Sequence, residues 1–171
     1  QLIYVLFGDA YVSFNVSITD SIDDVPPVIT IGEYEKEWTN QYINVCATVD
    51  GGSLNESCHL FTENGTFVFE AVDENGNTAY ETVSISNIDK IAPVVHVEKY
   101  LKFIKNSSAS ITYSASDSLS GMASESSASI VIDTSKVGEY RVYISATDNA
   151  GNITIEEVPY KVIYQFTGFL Q

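Results

Sequence analysis

The stretch IDDVPPVITI at Ile22–Ile31 returns as IDKIAPVVHV at Ile88–Val97. Ile22 and Ile88, Asp23 and Asp89, and Pro27 and Pro93 are each 66 positions apart. A similar strand ending precedes each copy, Val16-Ser17-Ile18 and Val83-Ser84-Ile85, offset by one residue. A recurring linker marks a chain made of modules, and a period of this size organises everything read after it. Working outward from the copies divides the 171 residues into modules at 26–91 and 92–171, after a remnant at 1–25. The chain does not begin with Met and its first residues already read as paired strands. We therefore expect a segment of a longer polypeptide, in which a missing signal peptide or anchor carries no information.

Modules of about 65–80 residues lie near the lower limit for a self-sufficient core. The composition supports one. Tyr and Phe number 11 and 8 against a single Trp, and Ile and Val outnumber Leu, the bias of a half-buried pleated surface. No segment keeps a helical apolar stripe over three turns, and no apolar run is long enough to span a membrane. The formal charge of −15 argues against nucleic acid, whose phosphates call for an extended Lys/Arg surface. It fits solubility and self-repulsion along an exported rod, and more weakly a surface that recruits cations.

Each module ends on one device. TFVFEAV at Thr66–Val72 leads into Asp73-Glu74-Asn75-Gly76-Asn77 and out through 78–86. EYRVYISAT at Glu139–Thr147 leads into Asp148-Asn149-Ala150-Gly151-Asn152 and out through 153–164. Asp binds backbone N–H groups ahead of it and Gly supplies the positive φ of a hairpin turn. The alternation predicts Phe67, Phe69 and Ala71, and Tyr140, Val142, Ile144 and Ala146, as core faces. In the remnant, 2–7, Gly8-Asp9 and 11–18 read as the last hairpin of an earlier module. First strands follow the prolines at 28–31 and 94–97. Second strands are expected at 42–49, with Ile43, Val45, Ala47 and Val49 inward, and at 110–116, with Ile111, Tyr113 and Ala115 inward. Middle strands are expected at 57–62 and 129–133. Pro159, after Glu156-Glu157, suggests a bulge or an edge position. Short strands with turns every 8–12 residues describe antiparallel β-sandwiches.

Cys46 and Cys58 are too few for a disulfide framework or a zinc site. A turn near Gly52 would bring them opposite each other on paired strands. That leaves two outcomes open, a cross-strand bridge or two surface thiols.

The run TNQYINVCATVDGGSLNESCHLFTENGTFVFEAVDENGNTAYETVSISNIDKIAP ends at Pro93. It resembles the tandem Ig-like domain repeats of large bacterial surface and secreted proteins, with TNQ before a strand, an LN…H.FTENG.F.F middle, a D..GN hairpin and an NID..AP linker. DSLSGM, IDTSKVGEYRVYISATDNAGN and YQFTGFL make the second module similar to a related type. The resemblance implies tandem Ig-like β-sandwiches in an all-β chain. The two cysteines depart from the hydroxyl residues usual there, which favours their pairing with each other in an oxidising setting.

Catalytic constellations are weak. A nucleophilic triad needs a His held between nucleophile and carboxylate. His59 and His96 both sit on expected strands as packing or surface residues, and neither G-x-S-x-G nor H-E-x-x-H is present. The acids fall in turns and linkers, where a paired-carboxylate glycosidase would need them at one cleft. Calcium is the better chemistry, since a hard cation needs several oxygens at one place. Asp23 and Asp24, and Asn87 and Asp89, precede the linker prolines. Asp73, Glu74 and Asp148 lie at hairpin tips, and Asp117 ends a strand. The candidate metal ligands are Asp23, Asp73, Asp89, Asp117 and Asp148, against the plainer reading that Asp caps turns. The spacing does not imply that the Asp73 hairpin and the Asp89 linker share an end. Sequons at Asn15, Asn55, Asn64, Asn106 and Asn152 fit chance in a chain rich in Asn, Ser and Thr.

The expected function is a non-catalytic spacer or stalk in an exported, cell-surface multidomain protein. Its partners would be the neighbouring domains of the same polypeptide. The alternatives are an adhesion or carbohydrate-binding module, with a glycan or protein ligand at 51–56 and 117–127 and calcium as a possible cofactor, or an accessory region of a secreted enzyme. Nucleic-acid binding and membrane insertion are not expected of this segment.

Overall fold

The computed structural model describes residues 2–15 and 23–165, and every regular element in that range is a β-strand. Strands β1 (Leu2–Phe7) and β2 (Ala10–Asn15) pair antiparallel across Gly8-Asp9, the hairpin expected of the remnant. The expected extension of β2 through 16–18, the Ser21 and Ile22 end of the first linker and the terminal 166–170 lie outside the described residues.

Two sheets close on the first core. One has the order β3-β4-β6, from β3 (Val28–Ile31), β4 (Ile43–Asp50) and β6 (Cys58–Phe61). The other is β5-β7-β8, from β5 (Ser53–Leu54), β7 (Gly65–Val72) and β8 (Thr78–Ile85). Ile43, Val45 and Phe61 from one sheet meet Phe69, Val83 and Ile85 from the other. Full burial of a side chain such as Phe69 contributes about 1.5–3 kcal/mol. Alternation places these residues inside, as β4 shows with Ile43, Val45 and Ala47 buried and Asn44 and Thr48 exposed.

The second core repeats the plan. Sheet β12-β11-β9 comprises β9 (Val94–Val97), β11 (Ser110–Ser116) and β12 (Ser127–Val131). It faces β10-β14-β13, from β10 (Leu101–Ile104), β13 (Gly138–Thr147) and β14 (Ile153–Ile163). Ile111 and Ile132 pack on Ile144, Val158, Tyr160 and Val162, with Phe103 edge-on to Tyr160. The protein is thus all-β, with two separate sandwich cores.

Two expectations change. Pro159 is neither at an edge nor at a bulge. The β13–β14 register runs unbroken from Thr147↔Ile153 to Gly138↔Val162, with Arg141 opposite Pro159, and β14 is the centre strand. Its missing N–H is tolerated because the other neighbour, β10, pairs in parallel only from Tyr160 onward. In the first sandwich, β4 and β6 are not joined by a simple turn. The chain crosses through β5 into the opposite sheet, where Ser53 and Leu54 pair with Val72 and Ala71. Gly52 permits the crossing: its φ is +113°, and a Cβ there would stand 2.5 Å from the Val72 carbonyl oxygen.

Candidate functional site

The linker between the sandwiches is held from both sides. On the first side, Thr39 N–H donates to the Asn87 carbonyl (3.0 Å) and Asp89 N–H to the Thr39 carbonyl (2.9 Å). Asn64 grips the Ile88 backbone twice, its Nδ2 donating to the carbonyl (2.9 Å) and its Oδ1 accepting from the N–H (2.8 Å). Asn87 Nδ2 donates to the Glu37 carbonyl (2.7 Å), and Lys90 Nζ donates to the Thr62 carbonyl while lying 3.9 Å from the Tyr42 ring centre. Each bond occupies a linker polar group that would otherwise need water.

From the second side comes the β13–β14 hairpin tip. Asn152 Nδ2 donates to the Asp89 carbonyl (2.9 Å) and the Ile91 carbonyl (3.3 Å). The tip itself is closed by Asp148, which accepts from Asn152 N–H and Nδ2, both at 2.8 Å. Asn40 N–H of the first sandwich donates to the Ala150 carbonyl of this tip (3.2 Å). Here the Asp-x-x-Gly-Asn pattern has its reason. Asp shapes the turn, Gly151 takes φ +88°, and Asn reaches back to the linker.

Among the described residues, Asp89, Asp117 and Asp148 bring one carboxylate oxygen each within 4.8 Å of one another. Asp89 and Asp148 are fully buried. Asp89 accepts from Ile91 N–H (2.9 Å) and Ser120 N–H (3.0 Å). Asp117 Oδ1 accepts from the N–H groups of Leu119, Ser120 and Gly121 at 2.9–3.0 Å. Burial pushes the Asp89 carboxyl up, but the Ser120 hydroxyl and the N–H groups of Ile91 and Ser120 outweigh it and hold Asp89 below the ordinary range. None of the ion pairs among the described residues reaches these three acids. At such separations two unit charges near a protein surface repel by about 3–4 kcal/mol. All-oxygen donors of this kind suit a hard divalent cation, with backbone carbonyls and water completing six to eight ligands.

The first linker has a counterpart. Asp23, Asp50 and Asp73 line an open cleft of about 520 Å³ with Pro26, Gly51 and Gly52. Asn77 Nδ2 donates to the Asp23 carbonyl (3.0 Å) and the Val25 carbonyl (3.4 Å), as Asn152 does one repeat later. The side-chain amide of Asn77 holds the Asp73 carboxyl below its ordinary value; burial opposes it, and the N–H groups of Asn77, Asn75 and Gly76 add to the lowering.

The structure therefore sorts the five predicted acids into two sets. Asp73 joins Asp23, while Asp117 and Asp148 join Asp89, so the Asp73 hairpin and the Asp89 linker do lie apart. Asp24 and Glu74 stay exposed. Sequence reasoning missed Asp50, which lies just beyond the strand expected at 42–49, and the clamps Asn77 and Asn152, taken as turn residues. The repeat held a usable signal, since each linker and each hairpin recurs in step. Cys46 and Cys58 stand opposite in the β4–β6 register, their sulfurs 2.11 Å apart. His59 stacks on Phe67 with ring centres 3.8 Å apart and contacts Glu56 at 3.2 Å, while His96 is exposed on β9. Asn64 and Asn152, two of the sequon residues, are committed to linker hydrogen bonds. No protein-family model matches the chain, and none of the curated proteins matches it.

Proposed function

We propose that the chain is a non-catalytic spacer of tandem Ig-like sandwiches in an exported surface protein, and that its work is to hold successive domains at a set distance and angle. The observation that supports this is the linker 87–91, which is hydrogen-bonded by side chains and backbone of both flanking sandwiches. Two cores joined by a free linker would reorient independently, whereas a linker clamped on both sides transmits direction. The test is 15N relaxation on the whole chain. Both sandwiches should share one rotational correlation time, and Asn64→Ala with Asn152→Ala should separate them. Independent tumbling of the unaltered protein would overturn the reading.

A second form of this reading includes calcium at Asp89, Asp117 and Asp148. It is favoured by the three carboxylates gathered together, none of them in an ion pair among the described residues. Calcium should raise the melting temperature relative to chelator, and Asp117→Asn should remove the difference. Identical melting with calcium and with chelator would leave the hydrogen-bonded spacer standing without the cation.

A further inference from the structure

The outer face of the sheet β10-β14-β13 carries a feature unlike the rest of the surface. On β14, Val158, Tyr160 and Val162 face the core, so Pro159 and Lys161 face out. The register sets Lys102 of β10 beside Lys161, and Glu139 and Arg141 of β13 beside Lys161 and Pro159. With Tyr100 these residues outline a cleft of about 260 Å³.

Three observations point to a ligand there. First, Lys102, Arg141 and Lys161 are three of only eight basic residues in a chain of charge −15, gathered at one place. Lys161 is paired with Glu139 and Arg141 with Glu157, but Lys102 has no ion pair among the described residues and stands beside another lysine. Like charges side by side on neighbouring strands are unfavourable, and an anion between them removes the penalty. Second, Tyr100 holds φ at +60°, a conformation uncommon outside Gly and Asn, while the residue is 79% exposed. A strained backbone position carrying an exposed aromatic residue at the rim of a cleft is the kind found at binding sites. Third, Pro159 gives the floor a flat apolar surface without an N–H.

We propose that this cleft binds a sugar ring bearing one carboxylate, a hexuronate or related acidic unit of a polysaccharide. The carboxylate lies between Lys102 and Lys161, and the C–H face of the ring rests on Tyr100 and Pro159. The floor favours a sugar over an acidic peptide, because β14 is a centre strand whose backbone is already paired and Pro159 offers a flat apolar surface for a ring, while the edges of β10 and β13 lie at the sides of the sheet. The proposal does not rest on the spacer reading, since the junction is the same with or without a ligand on this face.

The test is titration of the 15N-labelled whole chain with D-glucuronate, D-glucose, sodium sulfate and a triglutamate peptide. For one small ring at an open cleft the expected Kd for glucuronate is on the order of 1 mM. Amide shifts should centre on Tyr100, Lys102, Arg141 and Lys161, with glucose and sulfate each binding more weakly. Lys102→Gln leaves both ion pairs intact and should weaken binding by about two- to fivefold, the worth of one exposed charge contact. Tyr100→Gly accepts the positive φ, so it should weaken binding without lowering the melting temperature. Unsaturable shifts, glucose binding equal to glucuronate, sulfate binding equal to glucuronate, or tighter binding of triglutamate would each overturn the proposal.

Discussion

The two linkers begin with the same Ile-Asp and end with the same proline, yet their aspartates meet opposite surroundings. Asp23 is exposed at the edge of an open cleft, whereas Asp89 is fully buried. Both linkers are gripped by the hairpin tip of the sandwich that follows, through Asn77 or Asn152. What encloses Asp89 is added from elsewhere. Thr39 of the first sandwich holds it, Asn64 holds its neighbour Ile88, and the Asp117–Gly121 turn folds over it, where the first sandwich has only Asp50-Gly51-Gly52. The repeated motif thus supplies half of a junction, and the character of the junction depends on the residues brought to it.

The comparison breaks most visibly if the two cores are one cooperative unit. Phe69→Ala should cost the first sandwich about 3–5 kcal/mol and Ile144→Ala the second about 2–5 kcal/mol, each lowering its own calorimetric transition. A single transition that moves equally with both changes would show that the cores unfold together. Next in size, replacing Cys46 and Cys58 by Ser should destabilise the first sandwich by about 2–4 kcal/mol through the freed unfolded chain. The second sandwich has no disulfide and should keep its transition.

Asn152→Ala should cost about 1–3 kcal/mol, because it removes the Nδ2 donor to the carbonyl of buried Asp89 and to Asp148 Oδ2, while the backbone N–H bond to Asp148 Oδ1 remains. Asn77→Ala, at the open junction, should cost less, and chemical denaturation of the two variants measures the gap. Equal losses would mean that enclosure of the linker adds nothing to the clamp.

The smallest effect is acid lability. Asp89 titrates below its unfolded value of about 3.8. Its contribution is therefore complete above that value and is lost as pH falls through the lower folded one. Asp89→Asn should flatten the acid limb of the stability profile measured between pH 5 and pH 2, a window set by that shift. An unchanged limb would place acid sensitivity at other carboxylates.

Much of this architecture was legible. Alternation at Ile43, Val45 and Ala47 and at Ile144 and Ala146 located the core faces, because burial on one side of a sheet forces a period of two. The Asp-x-x-Gly-Asn turns were equally plain, since their chemistry is local. Long-range partners were harder to see. Nothing near Leu101–Ile104 announces a parallel neighbour in Tyr160–Ile163, so β10 and the basic cleft beside it went unread. Asp50 is unremarkable until Gly52 turns the chain against Val72. Likewise Asn152 satisfies every rule for a turn residue, and its second duty appears only when the linker is folded under it.

That second duty sets an order of events. Each linker is closed by an asparagine 54 or 63 residues further along the chain, Asn77 for Asp23 and Asn152 for Asp89. A polypeptide that emerges N-terminus first therefore passes each hinge while it is still loose. The joint stiffens only after an entire downstream domain has appeared and folded back its last hairpin. Rigidity in such a chain advances one domain behind its growing end.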